Sequence, residues 1–420
     1  MTHKMNRMAA IVGVGSSKFG AFPDKLGREL FTEAFLAMLG SVDRGIETKD
    51  IEALYVGSAA PLSFEGQAHL APIIADQVGL VNRPAIRVES ACASGGLALR
   101  EGIIGIASGT YDIVLVGGVE KMTNLPTSEV TEVLAAFADA PYEARTGITF
   151  PGAYALLATA YRHKYGLTEE QLMAVAMKNH QNGALNPIAQ FYCTISDIMT
   201  NRLAKMKEKG QPVPNWRTEM AFLKDPQANP VVAWPLRLFD CSPITDGAAC
   251  VLLVAEHFAK SFTDTPIYVV GSGQASDYSL SGRRDLTTLA GAKEAARQAY
   301  EMAGVHPEDI QMAEVHDCFT IAEIIATEDL GLFEPGEGAK AAEQGLTALQ
   351  GPKPVNPSGG LKAKGHPVGA SGIAQTVEVW HQMRGVAGAR QIKNRELNLT
   401  LTHNVGAHGA SCLVHIYERR

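Results

Sequence analysis

A glycine-broken strand, a helix and a second strand occur in that order twice in this chain of 420 residues. The first copy opens on Ile11-Val12-Gly13-Val14-Gly15, continues through a helical stretch over 28–39, and passes Asp50-Ile51 into an apolar strand over 53–56. The second opens on Tyr268-Val269-Val270-Gly271-Ser272-Gly273, continues through a helix over 291–303, and passes Asp309-Ile310 into a strand over 312–315. Val269 stands 258 positions after Ile11 (269 − 11) and Asp309 stands 259 after Asp50 (309 − 50). A third match pairs Cys92 and the helix after it with Gly365–Gly372 and the helix that follows. Each of those helices leads to a further strand, over 113–116 or 397–401. Three matches in register point to a duplicated unit.

Alternating strands and helices in both halves predict an α/β fold, with helices covering both faces of mostly parallel sheets. Two such halves bring helix N-termini and strand ends towards one shared site. The expected division is 1–120 plus 236–262 for the first half and 263–420 for the second, with an inserted loop domain over 121–235. That insert carries a helix over 153–164 and another over 168–182, the latter opened by a Thr168-x-x-Gln171 capping box. Its stretch 201–230, with Lys205, Lys207, Lys209, Pro212, Pro214 and Pro226, reads as an exposed extra insertion. Trp216 and Phe222 there suit a surface that docks a partner or covers a ligand.

The hydrophobic share of 46% and charged share of 19% describe a compact globular chain, and the net charge of −7 offers nothing for nucleic acid. No stretch approaches the ~18 apolar residues of a membrane span, and the N-terminal residues lack the apolar core of a signal peptide. The C-terminus lacks a peroxisomal Ser-Lys-Leu, so a cytoplasmic protein is expected. None of the six cysteines forms a Cys-x-x-Cys, which argues against a zinc site of the chain's own.

Four loops are rich in reactive side chains. Cys92 lies among small residues at a presumed helix N-terminus, where unpaired N–H groups and the helix dipole favour thiolate. Ala93, Ser94, Gly95 and Gly96 leave the backbone bare enough for an acyl group to approach. Alternatively, Cys92 is an ordinary buried thiol. His316-Asp317-Cys318-Phe319 ends a strand. Asn356-Pro357-Ser358-Gly359-Gly360 and Lys364-Gly365-His366-Pro367 form a long loop that fixes a histidine between glycine and proline, as a general base requires; a solvent-facing turn histidine is the alternative. His403-Asn404-Val405-Gly406-Ala407-His408 ends the last internal strand.

Together with Cys241-Ser242-Pro243-Ile244-Thr245-Asp246, these motifs resemble the thiolase superfamily, and within it the sterol-carrier-protein type with its bacterial and archaeal relatives. Lys178-Asn179-His180, Asn186-Pro187 and Gln190-Phe191 share that resemblance, which covers nearly the whole chain apart from about 201–230. It implies duplicated α/β halves layered α-β-α-β-α. It implies Cys92 as the nucleophile that carries the acyl group, His366 as its base, and Cys318 as the second acid/base. Asn404-Val405-Gly406 stands where ordinary thiolases have their second cysteine. His316 would help build one oxyanion hole, Gly406 and Cys92 backbone N–H groups the other, and Ser242 would touch the pantetheine arm of coenzyme A. Two positions depart from the pattern: His408 replaces a glycine, which could narrow or polarise the acyl pocket, and Phe150-Pro151-Gly152 replaces His-Met-Gly.

The implied reaction is thiolysis of a 3-ketoacyl-CoA, or the reverse Claisen condensation, with coenzyme A as cosubstrate and no bound metal or cofactor. A soft thiolate, donors for an enolate oxygen and a second acid are what such chemistry demands. The alternatives are a retro-aldol lyase on the same scaffold and a non-catalytic binding subunit. A homodimer or dimer of dimers is expected. A small zinc-ribbon/OB-fold partner would have to come as a separate polypeptide.

Overall fold

The computed structural model describes residues 7–420. Most of the N-terminal stretch inspected for a signal peptide, residues 1–6, lies outside the described residues. The strands are β1 (Ala9–Ser16), β2 (Ala53–Gly57), β3 (Ala85–Val88), β4 (Ile113–Glu120), β5 (Val231–Ala233), β6 (Leu236–Arg237), β7 (Gly247–Ala255), β8 (Ile267–Ser276), β9 (Met312–Glu314), β10 (Leu399–Gly406) and β11 (Ser411–Arg419). Nine of them form one sheet in the order β3-β2-β4-β7-β1-β8-β11-β10-β9, while β5 and β6 make a separate ribbon.

The order reads as one arrangement and its mirror. β3-β2-β4-β7-β1 is answered by β9-β10-β11-β8, and Val355, bridged in parallel to Ala313 of β9, takes the place of β3. Corresponding strands pair in the same sense: β2 is parallel to β4 as β9 is to β10, and β7 is antiparallel to both its neighbours as β11 is to both of its own. The two halves meet through the antiparallel register Ala9↔Val269, Ala10↔Tyr268, Ile11↔Ile267. The expectation of mostly parallel sheets is corrected: antiparallel ladders predominate, because β7 and β11 each return beside the crossover strands. β11, which closes a hairpin with β10, and β3 were not anticipated from the sequence.

Layering follows from the side-chain alternation of the strands. On β1, Ala10 and Val12 face the outer core, and Ala9 and Ile11 face the inner one. The helix Gly27–Ser41 covers the first outer face. Ala290–Ala303, whose Ala292, Ala295, Ala296, Ala299 and Tyr300 form one buried stripe, covers the second. Between the half-sheets lie the helices Ser94–Ala107 and Ser371–Met383, which pack through Ala98, Leu99, Ile103, Ile373, Ala374 and Val377. The glycine pairs of the repeat exist for the outer helices: a Cβ on Gly15 would collide with Ala34 O, and one on Gly273 with Ala295 O.

The middle of the chain supplies the helices Thr127–Ala135, Phe150–Tyr165, Glu169–Gly183, Ile195–Glu208 and Glu219–Lys224. Thr168 and Gln171 form the expected reciprocal cap. The two aromatics of the stretch 201–230 are not the exposed docking residues expected of them. Phe222 is fully buried and Trp216 is buried beside it, edge-on with ring centroids 4.9 Å apart, against Met173, Ile195 and Met199. The Trp216 indole N–H donates to Asp225 at 2.8 Å. These rings are the core of a small subdomain and cannot reach a partner. Among the described residues no helix is long and apolar enough to cross a membrane.

Candidate active site

Cys92 sits in a single 3-10 turn, Ala91–Ala93, between β3 and the inner helix Ser94–Ala107. Ala91 takes φ +50°, a conformation that costs a non-glycine residue free energy and is held here by side chains. Ser94 Oγ accepts from the Ser90 N–H (2.9 Å) and donates to Ala91 O (2.6 Å), and Glu89 accepts from the Ala91 N–H (2.6 Å). The small residues that follow serve packing, which corrects their reading as acyl-group clearance. A Cβ on Gly95 would stand 2.7 Å from Gly369 O, and one on Gly96 2.8 Å from Asn404 Oδ1. The first half's helix can therefore approach the second half's loops closely.

The thiolate expectation is also corrected. Burial pushes the Cys92 thiol up to about 12, and the nearby Glu120 carboxylate adds to this. The N–H groups of Ala407 and of Cys92 itself, both bonded to the sulfur, pull the other way without prevailing. In this site desolvation outweighs the helix dipole, so the resting group is a thiol.

His366 follows Gly365, at φ +116°, and precedes Pro367. Its Nδ1 lies 2.7 Å from Ser371 Oγ. Ser371 Oγ also lies 2.9 Å from Pro367 O, and with its proton directed there it accepts from His366, whose own proton is then on Nδ1. Nε2 is thereby left with a free lone pair and no protein partner. Burial, then the Lys364 ammonium, push the imidazolium down to about 3, so the ring is neutral.

His316 is set the opposite way. Asn404 Oδ1 accepts the Gly96 N–H at 3.1 Å, which fixes the amide orientation. Its Nδ2 then donates to Cys92 O (3.3 Å) and to His316 Nδ1 (3.1 Å). With Nδ1 accepting, the His316 proton belongs on Nε2, a donor without a protein partner. Burial, then His366 and His403, hold this ring neutral well below the usual histidine range. The two rings stand nearly perpendicular, centroids 5.1 Å apart, and one ligating atom from each lies within 4.8 Å of the other and of the Cys92 sulfur. Cysteine and two histidines suit a metal by type. The donor set does not fit one, because the His316 nitrogen left free carries its proton.

Cys318 is buried in the wall of the same cavity, and Ser242 is tied to it by a 2.9 Å bond from the Ser242 N–H to Cys318 O. The cavity, about 180 Å³, is lined by Cys92, Cys318, His366 and Ser242, with an apolar wall of Met122, Val130, Leu134, Phe150, Ile244 and Val368. Asn404 and His316 stand just behind the reactive atoms. At Gly406 a side chain would stand 2.5 Å from Ser90 O, so β10 passes close behind the nucleophile turn. His408 does not line the cavity; its ring packs 5.0 Å from Phe150, one layer back.

Sequence reading missed several supporting residues. Asn179 donates to Asp317 (2.7 Å) and Glu323 (2.8 Å), and Asp317 in turn accepts the Leu361 N–H at 2.6 Å, locking the loops of Cys318 and His366 together. Lys178 pairs with Glu323 and donates to Val355 O, while His180 packs between Phe191 and Phe239 with its Nδ1 3.4 Å from Cys193 O. Glu120 accepts from Ala59, Ala60, Ser58 and Gly369, joining loops of both halves. Tyr154 and Ser371 carried no motif signal, since their role depends on what the fold places beside them.

Two mirrored α/β halves around paired inner helices, with cysteine and histidine at their facing ends, define the thiolase fold. Family profiles agree: "Thiolase, N-terminal domain" matches residues 9–257 and "Thiolase C-terminal domain-like" matches 272–419. The chain belongs to the thiolase family and is an acyltransferase. It is 46% identical to an acetyl-CoA acetyltransferase of Methanothermobacter thermautotrophicus, covering 98% of this chain and all of that one. It is 31% identical to sterol carrier protein 2 of Bos taurus, over 95% of this chain and 70% of that protein. Among solved structures, "Ltp2-ChsH2(DUF35) aldolase" matches with a TM-score of 0.77 at 22% identity, over 98% of both chains.

Proposed function

We propose that the chain transfers acyl groups between Cys92 and coenzyme A, with acetyl-CoA condensation or thiolysis of a short 3-ketoacyl-CoA as its reaction. The observation that carries this is the convergence of the Cys92 sulfur with one ring nitrogen each of His366 and His316 within 4.8 Å, at a cavity that also holds Cys318.

A thiol near 12 is almost wholly protonated at neutral pH, so His366 Nε2 takes the proton as the sulfur attacks the thioester carbon. The displaced coenzyme A thiolate recovers that proton. Cys318 then gives its own thiol proton to His366 Nε2 and, as a thiolate, removes a proton from the methyl carbon of a second acetyl thioester. The His316 Nε2–H meets the oxygen on which the enolate charge builds. The carbanion attacks acyl-Cys92, a carbon–carbon bond forms, and the Cys92 sulfur leaves with the proton held by His366. Gly406 and Cys92 N–H groups are assigned to the oxygen of the acyl-enzyme, and Ser242 to the pantetheine arm. No step requires a metal or redox group. A lyase needs no acyl-cysteine, and the His366–Cys92 arrangement favours transfer.

The same reading places a homodimer, or dimer of dimers, in the cytoplasm. β3 ends the sheet as an open edge, with Ile86 45% exposed. The Ltp2-ChsH2(DUF35) aldolase joins two components, which supports a separate partner here as well, and the family resemblance implies one of the small zinc-ribbon/OB-fold kind. Boundaries at 120, 235 and 262 remain our proposed division. The deciding experiment is mass spectrometry after incubation with acetyl-CoA: 42 Da of acetyl mass (roughly, from the group added in acyl transfer) is expected on the Cys92 peptide. Cys318→Ala should retain that label and lose carbon–carbon bond turnover. Acetyl mass only elsewhere refutes the assignment.

A further inference from the structure

Tyr154 belongs to none of the sequence motifs and does not line the cavity, yet it links the two reactive sulfurs. It lies in the second turn of the helix Phe150–Tyr165, 1% exposed, with its ring stacked on Phe319 at 4.6 Å and 28°. That stacking sets the phenol beside Cys318, the residue before Phe319. The Tyr154 hydroxyl donates to Ala407 O at 3.3 Å, a long bond, and it is within hydrogen-bonding reach of the Cys318 thiol. Ala407 is itself held at φ +55°, and its N–H bonds the Cys92 sulfur. One residue, Ala407, therefore meets Cys92 with its N–H, and with its carbonyl it holds the hydroxyl that stands beside Cys318.

We propose that Tyr154 is a positioning residue for Cys318, its hydroxyl turning from Ala407 O to the Cys318 sulfur whenever that sulfur becomes a thiolate. A hydroxyl hydrogen rotates at little cost, and a charged sulfur is a stronger acceptor than a carbonyl already bonded at 3.3 Å. When Cys318 gives its proton to a substrate carbon, or takes one from it, the phenolic proton stays on oxygen. Only the hydrogen bond changes partner, so no further acid or base is needed. Burial, with Cys318 itself, raises the phenol well above its usual range, which keeps it a donor throughout. Burial likewise drives the Cys318 thiol well up, and the Tyr154 hydroxyl opposes it most, followed by the Phe319 N–H. Without that hydroxyl the thiolate would keep only the backbone donor.

The proposal rests on Cys318 being the second acid/base, and its test does not depend on turnover. In a Cys92→Ser background, alkylation of the Cys318 peptide by iodoacetamide is followed by mass spectrometry as a function of pH. Tyr154→Phe should displace the curve by about 1–2 pH units towards alkali, the worth of a hydrogen bond to a charged group. The limiting alkaline rate should be unchanged. At fixed pH 8 this is about a tenfold or greater slowing. Incorporating 3-fluorotyrosine at position 154, a stronger donor of nearly the same shape, should displace the curve the other way, and it serves if Tyr154→Phe does not fold. In the otherwise wild-type chain, Tyr154→Phe should lower condensation kcat while acetylation of Cys92 and KM stay unchanged. A curve that does not move, or a lower limiting rate without displacement, overturns the proposal and leaves Tyr154 a packing residue. Failure of wild-type Cys92 to take up acetyl mass would instead overturn the acyl-transfer reading.

Discussion

Ser371 decides which nitrogen of His366 is the base, and removing its hydroxyl tests that geometry directly. With the Ser371 proton directed to Pro367 O, Ser371 Oγ accepts from Nδ1, and this is the arrangement that leaves Nε2 free as the base. In Ser371→Ala the Nδ1–H would face no acceptor there, and a buried unpaired donor costs about 1–3 kcal/mol. The competing tautomer, with its proton on Nε2, escapes this cost but cannot take a proton from Cys92. With ~1.4 kcal/mol per factor of ten, the competent tautomer is depleted about 5- to 150-fold. Rapid-quench measurement of Cys92 acetylation at pH 7.5 should show a loss of that size in the rate constant. KM for acetyl-CoA should hold, since Ser371 does not line the cavity. An acetylation rate within about twofold of wild type, or a loss confined to KM, would refute the tautomer argument.

A Cys92 thiol near 12 predicts that its alkylation by iodoacetamide rises about tenfold per pH unit from 7 to 9; a plateau below pH 8 would restore the dipole-stabilised thiolate. Trp216→Ala, which empties the small core around Phe222, should cost about 3–5 kcal/mol and lower Tm by several degrees in calorimetry. KM for acetyl-CoA should not change, whereas a changed KM with an unaltered Tm would revive the docking role. Burial holds His180, His366 and His403 at about 3, and His408 and His415 at about 4, below their unfolded value near 6.5. The unfolded chain therefore binds more protons than the folded one from about pH 6.5 downwards, and stability present above 6.5 is lost as pH falls towards 3–4. Glu65, Glu120, Asp240, Glu314, Asp317, Glu328 and Asp329, raised by burial, oppose this trend, whereas carboxylates lowered in the fold, among them Asp285 and Glu294 at about 2, add to it. Tm should fall steadily below pH 6.5, and a Tm that rises on acidification would contradict the burial of these rings.

Much of this protein was legible in its sequence because it is encoded locally. Residues 291–303 carry their buried stripe at helical spacing, Thr168 and Gln171 cap a helix within one turn, and the repeat offset of about 258 survives as a mirrored strand order. The reactive loops at Cys92, His316, Cys318 and His366 could be named because cysteine, histidine, glycine and proline leave distinctive local patterns. Other features needed the tertiary structure, since they depend on partners far along the chain. The β1–β8 junction and the antiparallel returns of β7 and β11 are choices among edges that alternation alone does not distinguish. Gly95 and Gly96 read equally well as clearance or as packing until Gly369 and Asn404 arrive beside them. Trp216 and Phe222 look like surface aromatics in a polar stretch until Met173 and Ile195 cover them. The protonation of the site belongs wholly to the fold: the helix dipole at Cys92 is local, but the desolvation that outweighs it is built from both halves, and the tautomers of His316 and His366 are set by Asn404 and Ser371 across those contacts.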